Sequence, residues 1–429
     1  MNRRHTSNAR YATGLSLIEL MIAMVIGLVL LLGLVQVMSA SRNAYQLSTG
    51  VARTQENARF AVDFLQRDLR MAGHMGCIND QARMQTSTPA TSDATREGLN
   101  LWFLTAAQRA ARTYNALSGD NFPLRFDLGI QGFEAVNTAP GASRTLAAGT
   151  PVAANANQWS PALPTKLANL NPVAGSDILV VRFLSRDGVP ATLTAVNATQ
   201  YTILPDAYGK TVTTTEGTGL FGLADCGEAS VFASDAVDAG TGQVTVNIGS
   251  PGLNASGMID DGTQERAVGR PMLHRAEGYV YYVAAGSGRN VDGTSPPSLW
   301  RARMMLDGSD VMLQPEELVE GVESMQLLYG MDENLPDDYP RGNVERVRIA
   351  SAVNATPTAN PNNAQSDEWR RVATVQVGLL MRSADRATAE QAQRAPLVLG
   401  VQMNPASSDG FYRSVYETTV VLRNRMFGN

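Results

Sequence analysis

Residues 13–38 read "TGLSLIELMIAMVIGLVLLLGLVQVM", an apolar run that carries a single acid, Glu19. From Leu15 to Val37 only Ser16, Glu19 and Gln36 interrupt apolar or glycine positions. As a helix this segment is roughly 35 Å long, enough to cross a ~30 Å hydrocarbon core. Arg3, Arg4 and Arg10 precede it, and a basic flank favours the cytoplasmic side, so the chain beyond Val37 is expected across the membrane. A secretory signal peptide fits poorly, because no small-residue cleavage motif follows the run and the pattern continues as helix. Glu19 is what a plain anchor does not explain. A charged acid at the bilayer centre costs ~3 kcal/mol on insertion scales, so it calls for a partner, or for a place near enough to the interface to reach water.

The helical pattern extends further. No proline occurs between Leu15 and Gly73. Ala58, Val62, Leu65 and Leu69 follow a 4, 3, 4 spacing that Phe60 and Phe64 widen, while Glu56, Arg59, Arg67 and Arg70 fill much of the remaining surface. Asp63 and Arg67 stand at i and i+4 in the favourable order. Gly73 is a suitable stop, so one helix of ~87 Å is expected from Leu15 to about Ala72. Its second half should lie against a head.

Past Cys77 the helical period is lost. Short β-like runs are expected at 178–184, 243–248, 279–283, 298–304, 344–353, 373–383 and 414–424. Between them, 85–98, 137–175 and 354–367 read as loops. The fold class is therefore α+β, a long N-terminal helix packed on a mostly antiparallel β head.

With 429 residues, 44% of them hydrophobic, the chain can build a sizeable core in one or more domains. A net charge of -5 offers no basic field for nucleic acid. Cys77 and Cys226 lack metal or redox spacing and could form one disulfide or remain two buried thiols. Beyond the leader, His74 and His274 stand apart in sequence, so no histidine-based metal motif is present, and no nucleophile elbow or phosphate loop occurs. The acidic run 332–338, with Asp332, Glu333, Asn334, Asp337 and Asp338, departs from calcium-loop spacing and reads as a solvated turn. No catalytic residue, cofactor or metal is expected.

"GLSLIELMIA" resembles the type IV prepilin leader: a short basic leader, a glycine, then an apolar run with Glu five residues after it. The resemblance implies cleavage by a prepilin peptidase between Gly14 and Leu15, N-methylation of Leu15, and pairing of Glu19 with the α-amino group of a neighbouring subunit's first residue. Members of that family usually have Phe where this chain has Leu15. "ENARFAVDFLQRDLRMAGHMGC" at 56–77, "ELVEGVESMQLLYGMD" at 317–332 and "YETTVVLRNR" at 416–425 resemble the PilW family of minor pilins. The implied organisation is a leader (1–14), a membrane or filament-core helix (15–37), an amphipathic helix (38–72) and a periplasmic or extracellular β-rich head (73–429) in one or two subdomains.

The implied function is a non-enzymatic minor pilin, inserted in the inner membrane of a Gram-negative bacterium with its N-terminus cytoplasmic, then carried into the pilus. It would help to prime or cap assembly and so support twitching motility and attachment. Implied partners are other minor pilins, the major pilin, the prepilin peptidase and a large tip-associated adhesin, with no nucleic acid. Stretches of the C-terminal part also resemble minor pseudopilins of type II secretion, the alternative function. A single-span enzyme or sensor is the third.

Overall fold

The computed structural model describes residues 16–78, 98–111, 113–147, 149–206, 209–225, 228–249, 251–257, 271–290, 293–332, 343–355, 368–386, 395–405 and 409–425. One helix, Leu17–Met71, runs unbroken for 55 residues, about 83 Å. With no proline in it, every interior N–H finds its carbonyl one turn back. The helix stops where Ala72 N–H turns back to the Leu69 carbonyl, and Gly73 then takes a positive φ of 75°. Gly73 N–H bonds the Arg182 carbonyl at 2.9 Å, which ties the helix end to a strand of the head.

Among the described residues the strands form sheets of 13, four and three strands. Met272–Ala285 is the spine of the largest. It pairs with Ile178–Leu184 and Pro297–Asp307 along its second half, and at its start with Leu220–Ala224 and Val189–Asn197. Asp310–Glu320 then extends Pro297–Asp307. The four-stranded sheet runs Arg346–Arg348, Val322–Met331, Val372–Arg382, Arg413–Val421, all antiparallel. Two short joints are parallel: Leu99–Leu101 with Ala229–Ala233, and Val401–Asn404 with Ser143–Thr145.

The apolar run "ILVVRFL" lies in a strand buried on both faces, which explains its lack of alternation. Leu179 and Val181 enter one core together with Ala58, Ala61, Leu65 and Leu69 of the helix and Val377, Leu379 and Val420 of the four-stranded sheet. Ile178 and Val180 enter the other core, with Phe103, Tyr114, Phe126 and Tyr282. A smaller core gathers Trp102, Tyr201, Phe221 and Phe232.

Two expectations are corrected. Only Arg346–Arg348 of the run 344–353 is strand, and Ala350–Ala355 is a short helix. Ala350 and Val353, spaced by three, bury one helical face in the core that holds Tyr329 and Trp369, so packing overrides the β-like composition. Asp310–Glu320 is a strand that the sequence reading did not separate, because it contains Pro315 and four acids. Among the described residues it pairs on one side only, an edge position where proline is tolerated.

Candidate assembly interface

The helix begins with a reciprocal cap. Ser16 has extended backbone, and its hydroxyl accepts the Glu19 N–H at 3.3 Å. The Glu19 carboxylate accepts the Ser16 N–H at 2.9 Å and the Ser16 hydroxyl at 3.0 Å. This satisfies donors that any helix start leaves open. Glu19 is thus placed against its own chain's Ser16. Gly14 and Leu15 lie outside the described residues.

Above the cap the helix has no cover. The large apolar side chains from Leu17 to Met38 are 49–77 % exposed. This one helix is long and apolar enough to cross a membrane. A contiguous apolar surface of this size is not stable facing water, so lipid or other apolar helices must clothe it. Cover from the head begins at Thr54, whose hydroxyl donates to the Gly50 carbonyl, and continues at Ala58, Ala61, Leu65, Asp68 and Leu69. The expected stripe is rotated slightly: Ala61 is fully buried, Val62 and Phe64 are half-buried, and Phe60 is 50 % exposed. At the changeover, Tyr45, Gln46, Thr49, Gly50 and Arg53 form one wall of a cleft of about 410 Å³, with Phe411 and residues 383–386 opposite.

A buried carboxylate that the sequence reading passed over fixes the helix to the head. Asp68 Oδ2 accepts the Tyr281 hydroxyl at 2.5 Å and Arg301 Nη1 at 3.3 Å. Arg301 also bonds Glu316 at 3.0 Å, and its guanidinium lies 4.7 Å from the Tyr279 ring centre. Burial, then the Asp68 charge, pushes the Tyr281 phenol well above its usual range, so it stays a donor. Burial works against the Arg301 charge, but the bond to Glu316 and the charge on Asp68 outweigh it and raise its pKa. Asn57, Gln66 and Asn424 add bonds between helix and head. A leucine at 68 would have fitted the apolar stripe, and the only sequence signal for a polar contact is the acid standing in it.

His74 and His274, apart in sequence, are neighbours in space, with ring centres 6.2 Å apart. Each Nδ1 faces a backbone carbonyl, of Leu184 and Ser185 respectively. Asp332 is buried, not part of a solvated turn, and its N–H bonds the Arg371 carbonyl. Glu333, Asn334, Asp337 and Asp338 lie outside the described residues. Cys77 has a partner, and Cys226 lies outside the described residues. Among the described residues no group of three or more His, Cys, Asp or Glu side chains could hold a metal.

Residues 9–35 match the family model described as "Prokaryotic N-terminal methylation motif". That match makes the apolar N-terminal segment similar to those of prepilin-type proteins. Residues 280–424 match the model described as "Type IV Pilus-assembly protein W". Together the two matches support a PilW-family type IV pilin, a family of structural and assembly proteins. The C-terminal match covers most of the strands around the helix, Pro297–Asp307, Asp310–Glu320, Val322–Met331, Val372–Arg382 and Arg413–Val421, while Ile178–Leu184, which also packs on it, lies outside the match. No curated protein and no solved structure matches the chain.

Proposed function

We propose that this chain is a non-enzymatic minor pilin that is cut between Gly14 and Leu15, N-methylated on Leu15, and held in the inner membrane with its N-terminus cytoplasmic. It then enters the pilus beside other minor pilins and the major pilin and helps to prime or cap assembly, supporting twitching motility and attachment. The observation that carries this reading is one unbroken helix with two environments. Its lower half is clamped by the family-matched strands, and its upper half is apolar and uncovered.

Glu19 supplies the recognition step. Cleavage creates a positive amine on Leu15, and an amine and a carboxylate are each costly in an apolar bundle. Staggered helices let the amine of one subunit meet the Glu19 of the next, which frees that carboxylate from its contact with Ser16. The mature N-terminus, read by mass spectrometry, should be methylated Leu15; an uncut chain or a start elsewhere defeats the proposal. Glu19→Gln should insert normally in the membrane yet incorporate poorly into pili, and unchanged piliation and motility would remove the pairing role.

The head is closed by a Cys77–Cys226 bridge in this reading. Gly76 packs so tightly that a Cβ there would fall 2.6 Å from the Ala224 Cβ, which places the residue before Cys77 at the end of the strand Leu220–Ala224. Closing ~150 residues would remove ~5 kcal/mol of unfolded-chain freedom in the chain-entropy model.

A further inference from the structure

The strand Ile130–Ala135, which pairs with Ile178–Leu184 and with Trp159–Ser160, and the four-stranded sheet meet around two buried carboxylates that no cation bonds among the described residues. Asp177 is 2 % exposed, and its oxygens accept the N–H of Ala135 and of Leu327, each at 2.8 Å. The Leu327 bond joins the large sheet to the four-stranded sheet, beside the Asp177 N–H, which donates to the Met325 carbonyl at 2.8 Å. Glu134 is 4 % exposed and accepts the Ala350 N–H at 3.3 Å, which brings in the helix Ala350–Ala355. The Thr138 hydroxyl stands by both acids, 3.4 Å from Glu134. From Val322–Met331 the Tyr329 hydroxyl, fully buried and without a hydrogen-bond partner among the described residues, faces the pair. It also packs against Gly132, where a Cβ would fall 2.1 Å from its oxygen.

We infer that Glu134 and Asp177 share one proton, and that this proton latches the junction between the large sheet, the helix Ala350–Ala355 and the four-stranded sheet. Two carboxylates in one apolar site cannot both carry charge without an offsetting cation. The groups that act on the pair are each other and Tyr329. The helix Ala350–Ala355 offers a backbone N–H and no titratable side chain, and among the described residues neither lysine nor arginine contributes to holding the charge. Burial, then the charge on Asp177, raises Glu134 to about 9. Burial raises Asp177 as well, against the pull of its backbone N–H bonds.

The sign follows from linkage. Both carboxyls bind protons more tightly folded than unfolded, so their contribution is fully present below the ordinary carboxylate range of ~4 and is lost as pH rises through the folded values. The latch is therefore closed at neutral pH and releases toward alkaline pH.

The test uses the full chain in detergent micelles. Infrared spectra of carboxyl-labelled protein should contain a protonated carboxyl at neutral pH that disappears by about pH 10, with the same readout lost in Glu134→Gln. Tyr329 and Trp369 have ring centres 4.8 Å apart, so tryptophan emission reports the junction. The thermal midpoint should fall as pH climbs from neutral to about 9 in the wild type, and the slope should flatten in Glu134→Gln. Tyr329→Phe leaves both acids in place and should keep the wild-type slope. Absence of a protonated carboxyl at neutral pH overturns the inference without reference to any variant, and so does an unaltered slope in a folded Glu134→Gln protein.

Discussion

Asp68 concentrates in one side chain what holds the helix to its head. Replacing it by Ala would leave the Tyr281 hydroxyl and the Arg301 guanidinium without their shared acceptor in a mostly dry contact, for a loss of about 2–4 kcal/mol. Asp68→Asn keeps the shape and should cost less. Thermal denaturation of the full chain in micelles checks both, and an Asp68→Ala melt equal to wild type would mean that the contact is not an anchor. No reading of the sequence by period could find this residue. Its partners Tyr281 and Arg301 are 213 and 233 positions away, whereas the neighbouring Asp63 and Arg67 sit at a helical spacing that any sequence displays. Glu19 is the opposite case: its position after a glycine, in an apolar run, marks it from sequence alone, although its contact with Ser16 is visible only in three dimensions.

At the scale of the element, the helix was the most legible part of the chain. A proline-free run with an apolar face and a glycine after it needs no distant information, and the observed Leu17–Met71 differs from expectation by two residues at the start and one at the end. The corner "ELVEGVESMQ", where the chain passes from the large sheet into the four-stranded sheet, adds a sharper test. Gly321 turns the chain from Asp310–Glu320 into Val322–Met331 with φ of 87°, and a Cβ there would fall 2.6 Å from the Arg382 carbonyl oxygen. Both the left-handed backbone and the contact with a backbone atom oppose any larger residue. Gly321→Ala should therefore destabilise by about 1–3 kcal/mol, read as a lower thermal midpoint. A neutral outcome would mean that the turn relaxes freely.

For the whole molecule, legibility follows contact distance along the chain. Most of the family-matched strands carry long apolar runs that the sequence displays, Asp310–Glu320 excepted, whereas in the region around 90–270 Ile178–Leu184 and Val244–Asn247 are legible but short strands such as Leu220–Ala224 and Ala229–Ala233 are too brief for period to reveal. The cross-link proposed between Cys77 and Cys226 would join the helix end to that region. Reductant, or the double change to serine, should lower the thermal midpoint, and non-reducing peptide mapping should recover the linked pair; unlinked peptides would dismiss it. The uncovered helix half has a further consequence. Stripping its apolar residues, Leu17 to Met38, from lipid into bare water would cost on the order of 20 kcal/mol, an event too rare to precede assembly. In the proposed passage from bilayer to filament, departure would then be an exchange, each lipid contact surrendered only as a neighbouring helix replaces it, so that the direction of travel would follow which surroundings are on offer.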